Sequence, residues 1–173
     1  MNSISMVLQD VYLFEDTIEN NIKFGKQNAS HEEVVEAAKK ARCHEFIEAL
    51  PEGYDTIIGE GGASLSGGEK QRISIARAML KDADIIIFDE ATANIDPENE
   101  DKLKEAIESL TKNKTVIMIA HRLKTIRNAD QILVLKDGEI VERGNHEELI
   151  KNNGLYSDLI NAKAKAESWK LNN

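Results

Sequence analysis

Two short groups of residues could do chemistry on a charged ligand. The first is Ser66-Gly67-Gly68-Glu69. A serine followed three positions later by a glutamate is a capping box, in which each side chain satisfies the other's backbone N–H at a helix start. Two glycines beside the cap place no side chain over the remaining N–H groups. The helix dipole also points out of that end, which suits an anion such as a phosphate. The second group is Asp89-Glu90, which follows the apolar run Ile85-Ile86-Ile87-Phe88. An all-apolar run reads as a strand buried on both faces of a parallel sheet. In such sheets the chemistry gathers just past the carboxyl ends of the strands. Taken singly, each group has an ordinary explanation: a capping box usually marks only a helix start, and two acids after a strand often begin a solvated loop. Their order is more informative, because one helix and one strand separate an anion-receptive end from two carboxylates.

The elements that must position these groups can be read outward from them. Residues 4–8 (ISMVL) form a short strand ending at Gln9. The next stretch holds Tyr12, Leu13, Phe14, Ile18, Ile22 and Phe24 with no clean period, which predicts a packed loop with a turn of helix. Ser30 with Glu33 is a second capping box and opens a helix through about Ala41, with Val34, Val35, Ala38 and Ala41 as its apolar stripe. Phe46, Ile47 and Leu50 continue the helical pattern to a turn at Pro51-Glu52-Gly53. The helix after Ser66 runs to about Leu80, with Ile73, Ala76, Met79 and Leu80 toward a core and Gln71, Arg72 and Arg77 on a solvated face. Asp96 before Pro97 reads as the cap and first residue of a helix over residues 97–110. Residues 115–120 (TVIMIA) predict a second doubly buried strand, ending at His121. A lone histidine is usually a satisfied polar residue, but this one also lies at a strand's carboxyl end. Two further strands make a hairpin around Asp137-Gly138. Asn145 with Glu148 caps another helix, and residues 154–166 are helical.

Bulk properties narrow the function classes. The chain has 173 residues, 41% of them hydrophobic, which is enough for one domain with a core. Its formal net charge of −9 argues against a nucleic-acid binder, which normally carries a basic footprint. The single cysteine, Cys43, excludes an internal disulfide and suits a reducing compartment. The apolar runs are too short to cross a bilayer, and residues 1–3 do not begin a signal peptide. A membrane role would have to come through a partner or a further segment.

LSGGEKQR followed by IIIFDE resembles the signature motif and the Walker B motif of ATP-binding cassette (ABC) ATPases. The likeness extends from Gln9 to the final helix. Gln9 followed by Leu13-Phe14, Thr17-Ile18 and Asn21-Ile22 resembles the Q-loop region of exporter-type cassettes. The stretch around Glu60 is similar to a short exporter motif near the membrane-domain contact, although a solvated loop acid is the simpler reading of Glu60. Ala93-Asn94-Ile95-Asp96 is similar to the D-loop, with Ala93 and Ile95 departing from the more usual serine or glycine and leucine. His121 matches the switch histidine.

The resemblance implies an α/β fold: a partial P-loop NTPase (RecA-like) parallel-sheet core with an inserted helical subdomain. Residues 1–9 would supply the last strand of the N-terminal core, 10–80 the helical subdomain with the signature motif, and 81–173 the C-terminal part of the ATPase core. It implies ATP and Mg²⁺ as ligands. Asp89 and Gln9 would hold the metal shell, Glu90 would act as base or polariser of water, and His121 would hold the γ-phosphate. Gln9 would also sense that phosphate. Ser66, Gly67, Gly68, Glu69 and Asp96 would serve ATP bound by a second nucleotide-binding domain. The other implied partner is a transmembrane domain, with the parent protein at the cytoplasmic face of the membrane and this chain soluble.

One family element is missing. A Walker A loop, GxxxxGK[ST], cradles phosphates with backbone N–H groups and a lysine, and no such match occurs here. Gly62 to Gly67 has the spacing, but Gly68 and Glu69 follow, and Gly25-Lys26 lacks the preceding glycine. The expectation is a partial cassette, inactive alone, whose parent couples ATP hydrolysis to export. Two other readings stay open. One is a non-catalytic fragment that docks to a partner. The other is a soluble cassette ATPase of DNA-repair type, against which the acidic charge and the lack of a coiled coil between Gln9 and Leu65 weigh.

Overall fold

Three strands that run parallel carry the candidate site. β1 (Ile4–Val7), β4 (Ile85–Asp89) and β5 (Thr115–Ile119) form one sheet in the order β1-β4-β5. The computed structural model describes residues 3–59, 64–89, 97–119 and 126–162, and these belong to two units, residues 1–119 and 120–173. Ser5 pairs with Ile86 and Val7 with Phe88, while Ile86 pairs with Val116 and Phe88 with Met118. Paired residues of a sheet project to the same face. Val7, Ile86 and Phe88 are buried on one face and share a core with Ile73 and Ala76 of α4 (Gly67–Lys81) and with Leu103, Ala106 and Leu110 of α5 (Pro97–Thr111). Each of the larger side chains among these contributes roughly 1.5–3 kcal/mol by leaving water.

The other face departs from the expectation of doubly buried strands. Ile4 and Met6 are exposed there, Ile85 and Ile87 are half-buried, and Ile117 and Ile119 are about half exposed, at 51% and 52%. All five residues of β5 are exposed. Edge position alone does not account for this, because β1 is also an outer strand and buries Ser5 and Val7, whereas Val116 and Met118 of β5 are exposed on that same face.

A helical layer lies between β1 and β4 in sequence. It comprises α1 (Ile18–Lys23), α2 (His31–Lys40), α3 (His44–Glu48), a 3₁₀ turn at Gly53–Asp55 and the long α4. The short strands β2 (Asp16–Thr17) and β3 (Ile57–Ile58) pair antiparallel and close the layer. α2 carries both bonds of its predicted capping box, between Ser30 and Glu33. It ends at Lys40 with Ala41 as its cap, close to the end read from its apolar stripe. Arg42 sits in the left-handed region at φ 56°, Arg42 N–H donates to the Lys39 carbonyl, and Cys43 N–H donates to that of Ala38. These two bonds make a Schellman ending, and α3 then starts as a separate element. Burial pushes the Cys43 thiol up to about 12, so it is a packed, unreactive group.

The second unit holds β6 (Ile132–Lys136) and β7 (Glu139–Gly144), an antiparallel hairpin with an irregularity at Val134/Leu135. Asp137 and Gly138 both have positive φ, 52° and 84°, as a two-residue type I′ turn requires. α6 (His146–Lys151) starts with the predicted Asn145–Glu148 capping box. Glu142 of β7 accepts from the backbone N–H of both Leu155 and Tyr156 and so caps the helix over residues 155–162. Ile132, Val134, Leu149 and Tyr156 form this unit's core. Among the described residues, no helix is long and apolar enough to cross a membrane.

Candidate functional site

α4 begins as its sequence dictates. Ser66 is extended at φ −63°, ψ 160°, its Oγ accepts from Glu69 N–H at 3.3 Å, and Glu69 Oε2 accepts from Ser66 N–H at 2.7 Å. The box therefore engages the Ser66 and Glu69 amides and leaves those of Gly67 and Gly68 in the first turn, where an α-helix has no internal partner to offer. A Cβ on Gly67 would meet nothing within 4 Å, so that side of the turn is open. Ser66 Oγ spends only its acceptor capacity on the cap, and its O–H can still donate. This end of a fifteen-residue helix has donors, dipole and access suited to a phosphate oxygen.

Asp89 is the last residue of β4 and is half-buried. Gln9 lies two residues beyond the end of β1 and is exposed. The register Val7↔Phe88 brings these strand ends side by side. A carboxylate and a side-chain amide are hard oxygen donors. Mg²⁺ is commonly held by one or two protein oxygens while water and substrate phosphates complete its octahedron, so the pair fits that ion. Among the described residues, no group of three or more His, Cys, Asp or Glu could hold a metal by itself. Glu90, Asp96 and His121, and also Glu60, lie outside the described residues.

Gln71, Arg72 and Arg77 are not the solvated face predicted for α4. Gln71 is 4% exposed and Arg72 3%. Gln71 Nε2 donates to the Leu8 carbonyl at 3.3 Å, and the Arg72 guanidinium lies over the Phe46 ring. Arg77 Nε donates to the Asn21 carbonyl at 2.9 Å, Nη1 to the Tyr12 carbonyl at 3.3 Å and Nη2 to Asn21 Oδ1 at 3.3 Å. Its guanidinium also lies over the Phe14 and Phe24 rings, and burial lowers its pKa. Buried Asn21 accepts from Phe14 N–H and donates to the carbonyls of Phe14, Asp16 and Thr17. Gly25 touches α4 so closely that a Cβ would collide with the Arg77 carbonyl. Asn21 is one of many polar residues between Glu15 and Lys23, so the sequence carries no local sign of this network; once buried, such a group needs partners.

Residues 1–93 match the family model described as ABC transporter. The ATP-dependent lipid A-core flippase of Desulfotalea psychrophila is 56% identical over 160 residues, covering 92% of this chain and 28% of that protein. The beta-(1-->2)glucan export ATP-binding/permease protein of Brucella melitensis is 51% identical over 161 residues, covering 93% of this chain and 27% of its own length. The solved structure of a bacterial Atm1-family ABC exporter with ATP bound aligns with a TM-score of 0.82 at 45% identity, covering 94% of this chain and 28% of the exporter chain. The chain thus spans little more than a quarter of these relatives.

Proposed function

The chain belongs to the ABC transporter family, and from that membership we propose that it forms the signature-motif side of a nucleotide-binding domain in an ATP-driven exporter. One observation carries this reading. The capped, glycine-bared end of α4 occurs in the same unit as Asp89 and Gln9 at adjoining carboxyl ends of parallel strands. In it, residues 10–80 are the helical subdomain and residues 81–173 the C-terminal part of the ATPase core. ATP is the nucleotide, and Mg²⁺ supplies charge neutralisation to its phosphates when bound. Asp89 and Gln9 offer oxygen ligands. Glu90 orients water and accepts its proton, and His121 holds the γ-phosphate. Ser66, Gly67, Gly68, Glu69 and Asp96 act on the nucleotide of a second nucleotide-binding domain.

The other partner is a transmembrane domain at the cytoplasmic face of a membrane. Tyr12, Phe14 and Phe24 support such a contact, since they are exposed at 71%, 37% and 59% and their rings touch in sequence. Nucleic acid is no part of this reading, given a net charge of −9. The 173 residues hold no GxxxxGK[ST], so the phosphate cradle comes from elsewhere and the chain alone does not turn ATP over. A phosphate-release assay with Mg²⁺ tests this. The chain alone should give background. Joined to a segment bearing a Walker A loop, it should turn over, and Glu90→Gln should slow that turnover about a hundred- to ten-thousandfold while ATP still binds. Turnover by the chain alone that Glu90→Gln abolishes, or undiminished turnover of the joined Glu90→Gln protein, overturns the reading.

A further inference from the structure

Gln9 sits within a short span whose two ends are tied to one helix. Before it, the Leu8 carbonyl accepts from Gln71 Nε2; after it, the Tyr12 carbonyl accepts from Arg77 Nη1. Both donors belong to α4, six residues apart, which is about 9 Å along a helix axis. Residues 9–11 therefore bridge two fixed points on α4 while the Gln9 side chain remains exposed. β1 ends at Val7, so the Leu8 carbonyl lies beyond the paired strand and goes to the helix instead. Arg77 is itself held. It donates twice to Asn21, and Phe14 and Phe24 stack on its guanidinium. Asn21 in turn fixes both backbone groups of Phe14, which closes the stretch from Tyr12 onward.

We propose that Gln71 and Arg77 are positioning residues for Gln9, fixing its backbone to the helix whose N-terminus carries Ser66, Gly67 and Gly68. The backbone on both sides of Gln9 is then anchored to α4 through two side chains. The functional weight of Gln9 rests on the proposed ATPase reading, but the mechanical link does not.

Hydrogen exchange by mass spectrometry on the 173-residue chain tests the link without nucleotide, so a failed ATPase reading leaves the result interpretable. Gln71→Met keeps length and loses the donor. Arg77→Met keeps most of the stem and loses the fork, and Arg77→Lys keeps charge and one donor group. One lost hydrogen bond should speed local exchange about three- to tenfold. Gln71→Met should do so for amides over residues 8–12 and spare those of residues 85–89 and 31–40. Arg77→Met, which loses three bonds, should raise exchange by more, and most over residues 11–17, with Arg77→Lys recovering part of the protection. Unchanged exchange over residues 8–12 in Gln71→Met and over residues 11–17 in Arg77→Met, Phe14 included, overturns the proposal. So does a rise in Gln71→Met that is as large over residues 31–40 and 85–89 as over residues 8–12, which would mark Gln71 as a general stabiliser.

Discussion

The two faces of the β1-β4-β5 sheet have similar sequences and different surroundings. One face presents Val7, Ile86 and Phe88 to α4 and α5, where they are at most 1% exposed. The opposite face presents Ile4, Met6, Ile117 and Ile119, all 46% exposed or more. Hydrophobicity does not distinguish them, since isoleucine occurs on both. The difference lies in what covers each face, which is decided by chain segments distant in sequence. The two outer strands differ as well: β1 buries Ser5 and Val7 on the covered face, whereas β5 is exposed throughout.

The largest test of the contrast is Phe88→Ala against Ile117→Ala. Phe88→Ala leaves a cavity in the covered core and should cost about 3–5 kcal/mol in denaturant unfolding. Ile117 already meets solvent, so its truncation should cost less than about 1 kcal/mol. Equal losses would mean that the open face is covered in solution. An open apolar face beside an outer strand also invites pairing between copies. Light scattering behind size exclusion should show self-association of the chain, reduced by Ile117→Lys. A sharp monomer in the unsubstituted chain would count against an open face.

Next in size is Arg77→Met, which acts on the layer that covers the buried face. It removes three donated hydrogen bonds and leaves the Asn21 side-chain oxygen with only the Phe14 N–H among the partners described. A loss of about 2–4 kcal/mol is expected from bonds made by a charged donor. Arg77→Ala should cost more, because the stem and the contacts to Phe14 and Phe24 go as well. A melting temperature unmoved by Arg77→Met would remove the network from the list of what holds the layer.

What could be read from the sequence divides along the same line. The three capping boxes at Ser30, Ser66 and Asn145 and the turn at Asp137-Gly138 are local rules, with partners three residues apart or adjacent, and each forms as read. The parallel strands with Asp89 at a carboxyl end were legible from an apolar run and its length. Which face of the sheet would be covered was not legible, because an apolar run specifies neither its neighbours nor its place in the sheet. The burial of Gln71 and Arg77 was hidden for a similar reason. Their acceptors, Leu8, Tyr12 and Asn21, lie 56 to 65 residues away in the chain, so no helical period reports them.

A smaller effect comes from the free end of the covering helix. Ser66→Ala removes the acceptor for Glu69 N–H and should cost about 1 kcal/mol, while Ser66→Gly costs only a few tenths. The unfolding midpoint should fall in that order, alanine below glycine. The reverse order would mean that Ser66 does not cap α4.

The smallest predicted effect lies where the covering layer meets the outer strand. Lys114 precedes β5, and its Nζ donates to Asp82 Oδ1 at 2.7 Å and to the Ala83 carbonyl at 2.8 Å. Asp82 follows α4 in the left-handed region at φ 51°, which asparagine tolerates as aspartate does, so Asp82→Asn isolates the charge. The hydrogen bond and charge of Lys114 hold the Asp82 carboxyl below its ordinary value near 3.8. A depressed carboxylate gives stability that is present above the unfolded value and lost as pH falls through the folded one. The Asp82 side chain is 84% exposed, so solvent screens the pair and Asp82→Asn should cost no more than about 0.5 kcal/mol at neutral pH. The difference from the parent chain should shrink below pH 3.8 and also with added salt. Lys114→Met should cost more at every pH, because it also strips the Ala83 carbonyl of its donor. A gap between Asp82→Asn and the parent that is equal at pH 7 and well below pH 3.8 would show that the pair's charge does not join the two elements.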